Sequence, residues 1–220
     1  MAVDALAGSF PQLARLYALQ LEATPQHQKS LTKRIEVSDA KQLVMADKMA
    51  GWVMTLAGDN LPQVLQDYDW ICRMVLEEEL HFRRSGQYRL STFQEALENV
   101  YSNKEYMGHY MNGLLVSQVW WANHTEAFNY YVDEFLGGFT GPFNHLEIGP
   151  GHGLLLYLAG SNPNCQRLEG WDISEESARQ TQHALDLLGL NKSATLKVQD
   201  MFAADVAPNQ FDSVVFSEVL

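Results

Sequence analysis

Cysteine is scarce: Cys72 and Cys165 stand alone in 220 residues, with no Cys-x-x-Cys pair and no Cys/His spacing suited to a metal. That excludes a disulfide scaffold and leaves two buried, reduced thiols in a cytoplasmic protein as the expectation. Positive charge is short as well. Only 15 Lys and Arg stand against 27 Asp and Glu, for a net charge of −12. Such a chain is repelled by nucleic acid and by anionic membrane, so neither is expected as a partner. No apolar run approaches the ~18 residues of a membrane span. No basic region followed by an apolar core opens the chain, so no signal peptide is expected. Repeats and low-complexity tracts are missing too.

What is present is the composition of a folded chain. The hydrophobic fraction of 46% against 19% charged residues excludes disorder, and the length allows one large domain or two small ones. Residues 1–92 read as a helical domain. Leu13, Leu16, Tyr17 and Leu21 share one helical face. Ser38 and Asp39 can cap a helix over 40–56, with Leu43, Val44 and the methionines on its apolar side. A further helix is expected to end near His81, and 83–91 reads as a short hairpin turning at Ser85-Gly86. Three helices and a hairpin are the order of a winged helix. The acidic balance turns that module away from DNA and towards packing or dimerisation.

Residues 93–140 are helical and aromatic. Trp120, His124, Phe128 and Tyr131 fall on one side of a continuous helix, with Tyr106 and Tyr110 nearby. The segment reads as a substrate wall or lid, with Tyr106, Tyr110, Trp120 and His124 as its ligand-facing candidates. The glycine-rich stretch 137–142 is the expected domain boundary.

From 141 onward the pattern becomes strand, helix, strand. Strands are expected at 145–149, 167–172, 195–199 and 212–216, with helices at 153–159 and, capped by Ser174, up to 188. That alternation implies a parallel sheet whose ligand lies beyond the carboxyl ends of its strands. Those ends carry Gly149-Pro-Gly-His-Gly153, then Asp172, then Asp200, then Ser217-Glu218. Asp172 follows Gly149 by 23 positions, where a carboxylate can accept both hydroxyls of a ribose. A nicotinamide dinucleotide is disfavoured on two counts. Leu154 stands where its pattern needs a third glycine, and Glu147, inside the strand before the turn, would repel a pyrophosphate. A ligand with a ribose, no phosphate and an ammonium group suits these residues better.

His145-Leu-Glu-Ile-Gly-Pro-Gly-His-Gly153 resembles the first motif of the class I S-adenosylmethionine-dependent methyltransferases. Gly170-Trp-Asp-Ile-Ser174, Val198-Gln-Asp-Met-Phe202 and the segment from Phe211 onward resemble the second, third and fourth, in order, over 76 residues. The helical front end is similar to that of small-molecule O-methyltransferases, which dimerise through it. The resemblance implies an α/β, Rossmann-like sheet, of which these are the first four of seven strands. It also implies that the 220 residues are part of a longer chain. The cofactor would be S-adenosylmethionine and the product S-adenosylhomocysteine. Glu147 would hold the methionine ammonium, and Gly149, Pro150, Gly151 and Gly153 would pass beneath methionine and ribose. Asp172 would bind the ribose, with Ile173 on the adenine. Asp200 would take the adenine amino group beside Met201 or Phe202, and Ser217 and Glu218 would border the methionine. The acceptor would be a small, hydrophobic or aromatic, natural-product-like molecule, free or carrier-bound.

Methyl transfer from a sulfonium rests on alignment and desolvation, and an oxygen acceptor also needs a base. Among His124, His145 and His152, only His124 suggests an acceptor-side role. Two other readings stand beside this enzyme: a scaffold that binds the cofactor without turnover or directs another reaction, and a winged-helix regulator.

Overall fold

A computed structural model of the chain describes residues 3–190, 192–204 and 207–217. The protein is α/β and forms two compact units, Met1–Thr125 and Glu126–Leu220. No helix among the described residues is long and apolar enough to cross a membrane.

The first unit is helical. It contains α1 (Val3–Ser9), α2 (Pro11–Ala23), α3 (Gln28–Val37), α4 (Ala40–Ala57), α5 (Leu61–Ser85), the short α6 (Phe93–Ala96) and α7 (Lys104–Trp120). The α2 core face is Leu13, Leu16, Tyr17 and Gln20, with Gln20 rather than Leu21 completing it. Its amide earns that place by bonding: it donates to Thr24 Oγ1 at 2.8 Å and to the Leu65 carbonyl at 2.9 Å. Asp39 and Gln42 form a reciprocal capping box at the start of α4. Leu43, Met45 and Met49 are buried on that helix, whereas Val44 is 47% exposed.

The hairpin expected at 83–91 does not form. Helix α5 continues through Arg83 and Arg84 to Ser85, and Gly86 ends it in the left-handed region at φ 71°. The Ser-Gly pair that reads as a hairpin turn serves as a helix stop. Among the described residues the first unit has no strand, and therefore no wing.

The expected continuous helix bearing Trp120, His124 and Phe128 is also broken. Trp121 adopts an extended conformation between α7 and α8 (Ala122–Tyr130), and a π-turn follows over Tyr131–Leu136. The indole of Trp121 lies beside Tyr68 and Cys72 of α5. That contact is tertiary, and no Gly or Pro marks it in the sequence.

Among the described residues the second unit holds four strands: β1 (Phe143–Ile148), β2 (Cys165–Asp172), β3 (Thr195–Val198) and β4 (Ser213–Phe216). All neighbours are parallel, in the order β3-β2-β1-β4. That order reverses direction between β1 and β4, the switch point at which doubly wound sheets open a crevice. Helices α9 (Leu154–Ser161) and α10 (Glu175–Leu187) connect β1 to β2 and β2 to β3. Phe143, Leu156, Ala159, Leu168 and Leu185 form one core with Tyr131 and Leu136. Gly170 is required inside β2: a Cβ there would lie 2.7 Å from Leu196, 3.1 Å from Leu156 and 3.2 Å from Pro150.

Candidate functional site

Parallel register lines up the carboxyl ends of the strands. Ile148 stands opposite Trp171 on one side and Phe216 on the other, and Asp172 stands opposite Val198. The next positions out, Gly149, Asp172 and Ser217, therefore form one row, with neighbouring strands about 4.8 Å apart. Gly149 begins the turn by donating its N–H to the Trp171 carbonyl at 2.7 Å. Gly149, Gly151 and Gly153 all have positive φ, at 65°, 51° and 75°. The Gly153 N–H closes the turn on the Pro150 carbonyl at 2.7 Å, and Thr181 Oγ1 donates to the Gly151 carbonyl at 2.9 Å. Helix α9 opens directly from Gly153, so its first N–H groups border the same row.

Glu147 lies within β1, two residues before this turn. It is 3% exposed, and its Oε2 has no hydrogen-bond partner among the described residues. Burial pushes its carboxyl well above the ordinary carboxylate range. Glu169, on the neighbouring strand, makes the contrast. It too is 2% exposed, yet it accepts from Arg167 Nε at 2.7 Å, Lys197 Nζ at 2.8 Å and Trp171 Nε1 at 3.0 Å. Burial would raise its carboxyl, and the bonds from Lys197, Trp171 and Arg167 outweigh that and hold it below its usual value. Because Glu147 pairs with Gly170, it projects to the opposite face of the sheet from Glu169. One buried glutamate is saturated by the chain's own cations. The other has none.

Asp172 is half-buried at the end of β2. Its Oδ1 accepts from the Ser174 N–H at 2.9 Å and its Oδ2 from the Ser177 hydroxyl at 2.6 Å. Ser174 in turn caps α10 through the Ser177 N–H. The Gln199 N–H donates to the Asp172 carbonyl at 2.8 Å, tying the ends of β2 and β3 together. Asp200 follows, exposed, with Oδ1 accepting from the Phe202 N–H at 2.9 Å. Ile173, Met201 and Phe202 are 50%, 39% and 88% exposed. Ser217 is exposed at the end of β4, and Glu218 lies outside the described residues.

Each aromatic candidate of the helical unit has its own surroundings within that unit. Trp120 is 3% exposed, donates to Gln20 Oε1 at 3.3 Å and meets Tyr17 edge-on at 6.4 Å, the setting of a core residue. Tyr106 packs edge-on against Trp70 at 4.9 Å, and Tyr110 is half-buried on the same helix. His124 Nδ1 lies 3.2 Å from Ser117 Oγ, and burial lowers its imidazole to about 4. A base that weak is neutral at pH 7 and accepts a proton poorly. His145 is fully buried and likewise lowered by burial to about 4. Its ring nitrogens lie 2.8 Å from Ser213 Oγ and 3.3 Å from the Tyr131 hydroxyl. The His152 ring accepts from the Leu154 N–H at 3.3 Å inside the glycine turn.

Sequence reasoning passed over one polar centre in the helical unit, the Asp67–His109 pair at 2.6 Å. Its signal was present: Asp67 is an acid on the buried face of α5, among Val64, Leu65, Tyr68 and Ile71.

No protein-family model matches this chain, and no curated protein or solved structure is significantly similar to it.

Proposed function

We propose that this chain binds S-adenosylmethionine at the carboxyl ends of β1–β4 and supports methyl transfer to a small, hydrophobic or aromatic acceptor. One observation carries the reading: the buried, unpartnered Oε2 of Glu147 beside a turn of positive-φ glycines. An isolated carboxylate in such a place is costly, and a cationic ligand group is what offsets the cost. The resemblance of four motifs to class I methyltransferases, in order, supports the same reading. When bound, the cofactor supplies an electrophilic methyl on a sulfonium.

The chain's residues hold and align. Glu147 faces the ammonium. The glycine turn admits the ligand close to the backbone, since three Cβ atoms are missing from it. Asp172 keeps a second lone pair on each oxygen for the ribose hydroxyls. Asp200 takes the adenine amino group, with the exposed Ile173, Met201 and Phe202 covering its ring. Ser217 borders the methionine end. Burial of these apolar side chains on binding excludes water from the displacement.

A second reading is a binding role without turnover, and the histidines favour it: His145 is enclosed and both His145 and His124 are poor bases. Transfer of radiolabelled methyl across a panel of phenols, hydroxy acids and thioesters separates the two. Labelled product supports the enzyme, whereas cofactor binding with no product from any acceptor supports the scaffold.

A further inference from the structure

We propose that His109, held by Asp67, is the proton acceptor of a second ligand site, in the helical unit, for a neutral aromatic molecule bearing a hydroxyl. The site stands on its own observations and does not rest on the cofactor reading.

Asp67 is 3% exposed in its side chain, and Oδ1 meets His109 Nδ1 at 2.6 Å. Gln63 Nε2 donates to the same oxygen at 2.8 Å, and Asn112 Nδ2 donates to Oδ2 at 2.7 Å. Helices α5 and α7 are close enough here that a Cβ on Gly113 would lie 2.6 Å from the Asp67 carbonyl. Gln63 and Asn112 give each carboxylate oxygen one donor and tie the helices. His109 adds a second donor to Oδ1 from a side chain that is 33% exposed.

The Nδ1–H donated to Asp67 fixes the tautomer and leaves Nε2 as the acceptor on the far side of the ring. Among the described residues Nε2 has no hydrogen-bond partner. A proton arriving there gives an imidazolium whose charge Asp67 offsets, the dyad logic of general-base sites. No Lys or Arg pairs with Asp67 among the described residues. Asp69, two positions along α5 and so facing away, is committed to His27 at 2.9 Å and Arg73 at 2.9 Å. Glu78, near Tyr106, is paired with Arg89 at 2.8 Å.

The ligand class follows from the neighbours. The Trp70 ring lies 5.7 Å from His109, tilted by 31°, and meets Tyr106 edge-on at 4.9 Å, an aromatic corner suited to another aromatic ring. The buried Asp67 carboxylate disfavours a ligand that brings its own negative charge, whereas proton transfer from a neutral hydroxyl leaves the net charge of the site unchanged. Among the described residues no group of three metal-ligating side chains exists to make this a metal site. On binding, the hydroxyl proton passes to Nε2 and the oxygen is left as a phenolate hydrogen-bonded to the new N–H.

The probe is 4-nitrophenol, whose absorbance reports its ionisation, titrated with the full chain below its solution midpoint. The expected result is a saturable phenolate band, with the bound midpoint lowered by one pH unit or more, a tenfold change in the ionisation ratio. His109→Gln abolishes the band while far-ultraviolet dichroism stays unchanged. Asp67→Asn shrinks the shift; should that variant fail to fold, His109→Gln decides alone. Binding of 4-nitroanisole, which has no proton to give, quenches tryptophan fluorescence equally in the native chain and His109→Gln. Absence of a saturable band, or a band undiminished in His109→Gln, overturns the proposal.

Discussion

The Ser177 hydroxyl donates to Asp172 Oδ2 across 2.6 Å, so the carboxylate at the end of β2 is oriented by the helix that follows it. Asp172 therefore has two tasks, holding the α10 start and offering its remaining lone pairs outward. Removing Ser177 touches only orientation, whereas removing the charge touches both. Ser177→Ala is expected to weaken S-adenosylmethionine binding by less than about tenfold, and Asp172→Asn by about 10- to 100-fold, the range of a charge-assisted bond. Calorimetry on both variants checks the order; equal affinities would remove Asp172 from the site.

Glu147 and Glu169 predict opposite pH responses from neighbouring strands. Glu147 has its folded-state carboxyl raised, so above the ordinary value near 4.5 the folded chain keeps a proton that the unfolded chain has lost. Stability from this residue falls as pH rises, until the raised value is passed. Glu147→Gln is expected to raise the neutral-pH melting midpoint and flatten its pH dependence, while abolishing cation binding. A variant that melts lower than the native chain at pH 7 contradicts this.

Glu169 runs the other way. Its folded-state carboxyl is lowered by Lys197, Trp171 and Arg167, so its contribution is present above the ordinary value of 4.5 and lost as pH falls through the lowered one. Glu169→Gln leaves Lys197 and Arg167 facing a neutral amide and is expected to cost about 3–5 kcal/mol, the range for a broken buried pair. Arg167 and Lys197 are both partly exposed, which places the cost at the lower end. Urea unfolding at pH 7 measures it.

Gly153 tests the turn. At φ 75° an added Cβ is strained and would lie 3.3 Å from Thr181 Cγ2. Gly153→Ala is expected to destabilise the second unit by about 1–2 kcal/mol, read as a lower urea midpoint.

The sheet was legible because its signals are local. Turn and capping residues separate the strands from the helices, and Ser174 caps α10 as its residue type predicts. The row of Gly149, Asp172 and Ser217 followed from one rule about strand ends. The helical unit was less legible because its decisive contacts are distant. Ser85-Gly86 suits a hairpin or a helix stop equally, and the stop is made by the Gly86 N–H on the Phe82 carbonyl and the Ser85 hydroxyl on that of His81. Trp121, at the break, lies beside Tyr68 and Cys72 some fifty residues away in the sequence, and the Asp67–His109 pair spans 42 positions. Glu147 was read from its place before the turn, but only the fold distinguishes it from Glu169, which Lys197 and Arg167 satisfy.

The most direct test of the account is calorimetric titration of S-adenosylmethionine into the full chain, at one pH, in two buffers of different ionisation heat. The account predicts saturable binding accompanied by proton release, as the cationic ligand ionises Glu147, with both binding and release lost in Glu147→Gln. Absence of binding, or equal affinity in Glu147→Gln with no proton exchanged in either, would contradict it.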